Sequence, residues 1–369
     1  MSRDRRAVQA VGAKAKRESY NQIIMRALFL DQPGWPPALS VKEVPAPAPG
    51  PGEVLVRVEA CGFCHHDLLV MSGTLRRGVA PGVILGHEIS GVVAETGQGV
   101  ARWVEGDRVV SILTAACGAC GRCRLGQEHR CLVGKGIGHG RDGGFAEFVA
   151  LPEFSLIAVP AGVDLAQAAL FACPMGVSLN AVQDIAQVKP AESVVVTGAG
   201  GGLGIHAVQA SASMGARVLA VTTSPEKLGS IAPLGGEEIL HTEELDFSEM
   251  VLALTEDQGA PVVIDTVGSP LFTSCWASLA QYGRLVLLGE VAGGPAALNL
   301  AEIIFRDARI LGTSGVSRAQ VEQIAGMVSR DELRPVVSRT FSLEQAGEAF
   351  ELLSNRAVLG RVVLLPRPA

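Results

Sequence analysis

Residues Ser193–Gly215 read SVVVTGAGGGLGIHAVQASASMG. Val194, Val195 and Val196 form a β-branched run of the length of a buried parallel strand. Glycines 198, 200, 201, 202 and 204 follow, and Ile205 to Met214 then carry apolar residues at helical spacing. The pattern is strand, tight turn, helix. Glycine suits the turn because the backbone must take positive φ and approach a phosphate without a Cβ in the way, while the N–H groups of the first helical turn attract negative charge. Downstream, the sequence predicts strands at Arg217–Val221, Glu238–Leu240, Pro261–Asp265 and Arg284–Leu288, with helices near Glu226–Leu234 and from Leu271. Strand–helix units repeated in this order predict an α/β, doubly wound parallel sheet over residues 176–314, with a pyrophosphate site at the end of its first strand.

The 369 residues exceed one ordinary domain and suit two, and 48% hydrophobic composition supplies sizeable cores. Thirty-one basic against 37 acidic side chains give a net charge of −6, which recruits neither nucleic acid nor an anionic membrane. No apolar run has the length of a membrane span. Met1–Gln22 is basic and helix-like but lacks the apolar segment of a secretory signal, so residues 1–24 are read as a disordered extension or an artefact of the assigned start, and the fold as starting at Met25.

Between Arg26 and Val149 short alternating runs separated by turns, at Arg26–Leu30, Glu53–Glu59, Ile89–Glu95, Arg108–Leu113 and Phe145–Ala150, predict an all-β, partly open barrel. Helices at Arg318–Ser329 and Leu343–Ser354 and a strand at Arg361–Leu365 follow the sheet domain. Within the β unit, Cys117-x2-Cys120-x2-Cys123-x7-Cys131, broken by Gly118 and Gly121, offers four soft ligands with no open position. That is the composition of a closed structural zinc site. A second set is dispersed: Cys64 within Cys61-Gly62-Phe63-Cys64-His65-His66-Asp67, then Gly86-His87-Glu88, then Cys173. Two thiolates and an imidazole leave a fourth position on zinc for water or substrate. Cys61 and Cys275 are read as small buried hydrophobes.

Together these motifs resemble the zinc-dependent medium-chain alcohol dehydrogenases over nearly the whole chain after Met25, including the terminal Gly360-Arg361 strand. The resemblance implies a GroES-like β-barrel catalytic domain made of residues 25–175 and 315–369, carrying a zinc lobe at 115–132, with a Rossmann nucleotide domain at 176–314 inserted in it. It implies that Cys64, His87 and Cys173 bind catalytic zinc, that Glu88 can approach the metal during ligand exchange, and that Asp67 orients His87. His65 matches a pyrophosphate contact. Ser178, Gly198, Gly200, Gly201, Gly202, Leu203, Gly204, Val267, Gly289 and Arg361 are implied to line the cofactor. Zinc then polarises an alcohol or carbonyl oxygen while nicotinamide exchanges hydride.

This sequence departs from that pattern in its proton relay. His66 replaces the hydroxyl residue before the aspartate, and Leu69 the distal histidine, so His66 is read as the acid/base group. The nucleotide domain also resembles the NADPH-dependent acryloyl-CoA reductase branch, which reduces a C=C bond conjugated to a thioester. An enoyl-thioester reductase is therefore the alternative to an alcohol, aldehyde or ketone oxidoreductase, and a redox-inactive cofactor-binding protein a third reading.

The second strand of the sheet ends Thr222-Thr223-Ser224-Pro225-Glu226-Lys227, without the acid that accepts from a ribose 2′-hydroxyl. Thr222, Thr223, Ser224 and Lys227 are therefore read as favouring NADP(H) over NAD(H), with Ser224-Pro225 also suited to start a helix. The resemblance implies a homodimer or homotetramer. A cytoplasmic location is expected from the missing signal.

Overall fold

The structure is a computed structural model that describes residues 23–241 and 246–367. All of the expected extension except Ile23 and Ile24 lies outside the described residues. Those two residues belong to the fold, which begins slightly before Met25: Ile23 accepts a hydrogen bond from the Ala46 amide, and strand β1 starts at Ile24.

Two sheets organise the chain. β1 (Ile24–Gln32) pairs with β2 (Ala38–Pro45) in a two-stranded ribbon. β3 (Glu53–Phe63), helix α1 (His65–Met71), β4 (Glu88–Thr96), β5 (Arg108–Ser111), β6 (Phe148–Pro152) and β7 (Leu156–Ala158) follow. The expected strand at Phe145–Ala150 is displaced to β6. Cys173 lies in a helical run from Phe171 to Ile185 that contains two wide π-helical stretches, the first of them around Pro174, which cannot donate within a regular helix.

The second sheet comprises β8 (Ser193–Val196), β9 (Arg217–Thr222), β10 (Glu238–His241), β11 (Ala260–Asp265), β12 (Leu279–Leu287) and β13 (Arg309–Gly312). Its order is β10-β9-β8-β11-β12-β13, parallel throughout, so the chain reverses direction across the sheet beside β8. Ligands bind at such a switch point, outside the carboxyl ends of the strands. Val194, Val195 and Val196 are fully buried, as expected for a strand covered on both faces. Helix α2 (Gly202–Ser213) starts from the glycine turn. The helix expected near Glu226–Leu234 is three short pieces, its last ending at Gly235 with φ 108°. A short helix α3 (Leu300–Arg306) precedes the edge strand β13.

α4 (Arg318–Ser329), β14 (Val337–Ser342), α5 (Ala346–Ser354) and β15 (Arg361–Leu365) complete the chain. β15 enters the first sheet between β14 and β3, giving the order β14-β15-β3-β4-β5-β7 with β6 also on β3. The late segment is fastened to the glycine turn and α2. The Gly360 amide donates to the Gly200 carbonyl at 3.1 Å, and His206 Nε2 accepts from the Val336 amide at 3.1 Å while Nδ1 donates to the Gly202 carbonyl at 2.6 Å. Gln209 exchanges two hydrogen bonds with the Arg334 backbone.

Candidate metal centres and cofactor cleft

α1 begins immediately after Cys64, which places Asp67 in its first turn, where a carboxylate is favoured by the unsatisfied N–H groups. Asp67 Oδ2 accepts from the Cys64 amide at 2.9 Å and Oδ1 from the Gly86 amide at 3.3 Å. The fully buried carboxylate therefore ties together the segments that carry Cys64 and His87. Its Oδ1 lies 3.5 Å from His87 Nδ1, leaving Nε2 to face Glu88 at 3.9 Å. Burial opposes the charge on Asp67, but His87 and His66 outweigh it and hold the carboxyl well below the usual range.

One donor atom from each of Cys64, His87, Glu88 and Cys173 lies within 4.8 Å of the others, all four residues being buried. The two sulfurs are 3.8 Å apart. Tetrahedral Zn–S bonds of about 2.3 Å set sulfurs about 3.8 Å apart, so the pair has the spacing of zinc thiolates. The Cys173 contact, then Arg361 and His87, pull the Cys64 thiol well below its ordinary pKa against the cost of burial. Both Glu88 oxygens lack hydrogen bonds, and burial pushes this carboxyl up to about 7 against the pull of the Arg361 guanidinium. Gly62 makes the room: a Cβ there would lie 1.9 Å from Glu88 Oε2.

The four-cysteine lobe is equally compact. Cys120 Sγ lies 3.5 Å from Cys123 and 3.9 Å from Cys131, and Cys131 3.5 Å from Cys117. The Cys117 and Cys120 amides donate to sulfurs at 3.4 Å, and hydrogen bonds from the Leu132 and Cys123 amides bring the Cys120 thiol down to about 6. Donors aimed at sulfur and the near-tetrahedral spacing fit a closed thiolate site. Cys61 and Cys275 are fully buried, and burial pushes both thiols well up.

Gly198 adopts φ 57°, and a Cβ on Gly204 would lie 2.1 Å from the Gly198 carbonyl oxygen, so the turn can close onto α2 only with glycines there. Gly201 caps α2 in extended conformation with no side-chain cap, leaving the first-turn N–H groups for an anion. Val267 packs beside Gly198, and a Cβ on Gly289 would press on the Thr266 carbonyl. These three positions meet at the carboxyl ends of β8, β11 and β12. Arg361 overlies Gly202, and His65 Nε2, at the start of α1, has no partner.

Other candidates are occupied differently. Ser178 Oγ donates to the Leu203 carbonyl at 3.0 Å beside the start of α2. Thr222 is buried, and its hydroxyl accepts from the Ser224 amide at 3.2 Å. Ser224 caps nothing with its side chain, although Pro225 does occupy the first helical position. Thr223 is exposed. Lys227 lays its stem across Gly200 and donates from Nζ to the Arg356 carbonyl at 2.7 Å.

His66 packs edge-on to His87 with ring centroids 5.1 Å apart, and the tilted ring of His139 is also 5.1 Å from it. His139 was not singled out by sequence: a histidine between Gly138 and Gly140 carries no spacing signal. Arg356 was missed as well, since only the fold brings it to Lys227.

Residues 50–161 match the family described as alcohol dehydrogenase GroES-like domain, and residues 202–330 the family described as zinc-binding dehydrogenase. The chain is 35% identical over 343 residues to a protein of Sulfurisphaera tokodaii named acryloyl-coenzyme A reductase, covering 93% of this chain and 100% of that one. It is 31% identical over 351 residues to an NAD-dependent alcohol dehydrogenase of the same organism, covering 93% and 100%. A crystal structure of an NAD-dependent alcohol dehydrogenase superposes with a TM-score of 0.88 at 34% identity, covering 93% of this chain and 100% of that one.

Proposed function

Since the chain belongs to the zinc-binding, medium-chain alcohol dehydrogenase family of oxidoreductases, we propose that it transfers hydride between NADP(H) and the carbonyl or alcohol carbon of a small alcohol, aldehyde or ketone, at a zinc held by Cys64, His87 and Cys173. The observation that carries this reading is the 3.8 Å pair of sulfurs with a ring nitrogen of His87 within 4.8 Å of both. When bound, zinc supplies Lewis-acid polarisation of a substrate oxygen.

The chain's own residues do the rest. Asp67 faces Nδ1 of His87, favouring a proton there and leaving Nε2 free to ligate. Glu88 stands beside the ligands with Oε1 in an ion pair with Arg361 and Oε2 without a hydrogen bond, suited to exchange. The first turn of α2, Arg361 and His65 supply donors for a pyrophosphate, with Gly198, Gly200, Gly201, Gly202, Leu203, Gly204, Val267 and Gly289 giving its backbone room. His66, next to His87, is the group we assign to move the alcohol proton in place of a hydroxyl relay. The four-cysteine lobe is assigned a structural zinc.

The likeness to the acryloyl-coenzyme A reductase supports a second reading, reduction of an enoyl thioester. A panel of aldehydes and acryloyl-CoA assayed with NADPH and NADH, on protein of measured zinc content, separates the two. Cys64→Ser and His87→Ala are expected to abolish aldehyde reduction while NADPH still binds. Near-wild-type aldehyde reduction by both variants, or turnover of the enoyl thioester alone, overturns the first reading.

We also infer self-association through the outer edge of the nucleotide sheet. β13 is its last strand, with one side unpaired among the described residues, and α3 beside it exposes Leu300, Ile304 and Phe305, the last at 80%.

A further inference from the structure

The segment that follows β13, Thr313–Arg318, is held between the four-cysteine lobe and the helical run that carries Cys173. On the lobe side, the single turn Glu128–Arg130 leads directly into Cys131. Each of its three residues meets the segment. The buried Glu128 carboxylate accepts from the Arg318 amide at 3.4 Å, Arg130 Nη2 donates to Ser314 Oγ at 2.8 Å, and the His129 ring lies so close to Gly315 that a Cβ there would overlap it. Arg318 adds a fourth tie. Its guanidinium stands 4.9 Å from the Phe154 ring centroid, and the same ring would meet a Cβ on Gly118, between Cys117 and Cys120.

On its other side the segment grips the helical run. Asn180 Nδ2 donates to Thr313 Oγ1 and to the Gly315 carbonyl, both at 2.9 Å, while Oδ1 accepts from Gln320 Nε2 at 2.8 Å. Both donors of this amide are therefore spent on the segment. Val316 is buried and packs on Gly176, where a Cβ would lie 2.6 Å from Val316 Cγ2. Gly176 stands three residues after Cys173, in the same wide π-helical stretch.

The three candidate ligands are secured in different ways. Asp67 fixes the Cys64 and Gly86-His87 segments through hydrogen bonds to their amides. Cys173 lies where Pro174 supplies no amide donor, so contacts from outside the run carry more of its placement. Val316 and the partners of Asn180 supply those contacts, and the lobe turn holds the segment that bears them. A close-packed interior passes a displacement on rather than absorbing it. We propose that Arg130 and Asn180 are positioning residues for Cys173: through Thr313–Val316, the lobe turn sets where this thiol stands relative to Cys64 and His87. The four-cysteine lobe then serves the second metal set as well as its own stability. The proposal rests on the zinc reading of Cys64, His87 and Cys173 above.

The test is zinc affinity, measured by competition with a chelator on the full-length protein, in the wild type, Asn180→Ala, Ser314→Ala, Arg130→Ala and Arg130→Lys. Cys64→Ser identifies the zinc that belongs to the second set. Asn180→Ala and Arg130→Ala should weaken that zinc about tenfold, the lower end of what losing an outer hydrogen-bond partner costs a metal site, and Asn180→Ala should shift the lobe zinc less than about threefold. Arg130→Lys, which keeps a donor for Ser314, should recover part of the loss. With cobalt in place of zinc, the thiolate-to-cobalt absorption bands of the second set should move in Asn180→Ala and Ser314→Ala, which lower stability alone would not cause. Ser314→Ala removes one hydroxyl and keeps the question open to measurement should Asn180→Ala fail to fold. Wild-type affinity and bands in the folded variants, or equal weakening of both zincs with unmoved bands, overturn the positioning role alone. A wild type from which Cys64→Ser removes no zinc overturns the zinc reading with it.

Discussion

Arg361 Nη2 lies 3.0 Å from Glu88 Oε1, with both side chains withdrawn from solvent. The pair joins β15 to the residue following His87, so one ion pair connects the tail strand, the Cys64–His87–Cys173 cluster and, through Gly202 beneath the guanidinium, the glycine turn. Removing one partner leaves a buried charge uncompensated, a loss of about 3–5 kcal/mol in comparable cases. Arg361→Ala should therefore lower the urea midpoint substantially and weaken cofactor binding. An unchanged midpoint would show that the pair contributes nothing to stability.

His66→Ala should depress alcohol oxidation near pH 7 by roughly 10²-fold, the scale of lost general acid–base catalysis. The check is the pH–rate profile. A profile that keeps the wild-type shape and height removes His66 from proton transfer.

Cys120→Ser breaks the closed thiolate set, whose metal-binding free energy is also folding free energy. Metal analysis after mild chelation should find about one zinc fewer per chain than in the wild type. Thermal stability should fall by a larger factor than turnover measured well below the new transition. Full metal content in the variant would sink the assignment.

Burial brings His206 down to about 4 from its ordinary 6.5, with its donor bond to the Gly202 carbonyl opposing the shift only partly. The folded protein therefore holds this ring neutral while the unfolded chain protonates it. Unfolding takes up a proton between pH 6.5 and 4, and stability should drop by up to about 3 kcal/mol over that interval. His206→Gln should be less stable at pH 7 but lose less on acidification. Equal pH dependence in the two proteins would assign the acid sensitivity elsewhere.

Phe305→Glu places a charge on the exposed face of α3 beside the free edge of β13. Sedimentation should show a smaller assembly than in the wild type, with cofactor affinity retained. An unaltered assembly would locate the contact on another face.

The elements most legible in the sequence were those with a clear period or a fixed turn. The Val194–Val196 run, the glycine turn and the Arg361–Leu365 strand stand where expected, because a short continuous apolar run and a positive φ are local requirements. The donor types of Cys64, His87 and Cys173 suggested a second set, but only the family resemblance joined them with assurance, since Cys64 and Cys173 are 109 positions apart and meet through packing. Thr222 and Ser224 illustrate the limit. Their hydroxyls suggest anion donors by composition, but Thr222 turns inward to receive the Ser224 amide, a choice between local and ligand hydrogen bonding that composition does not contain. His139 and Arg356 left no local trace because each matters only through its neighbour across the fold.

The placement of β15 has a consequence for biosynthesis. Cys64 and His87 leave the ribosome early, yet the strand between β14 and β3, the carboxylate's cationic partner and the amide that pins Gly200 arrive about three hundred residues later. Until then the nascent catalytic lobe carries an open strand edge and an uncompensated Glu88, while the intervening nucleotide sheet can form around its own local crossovers. Assembly of the cleft is thus timed to the end of translation, and the early lobe must be protected from wrong strand partners for most of the time the chain is being made.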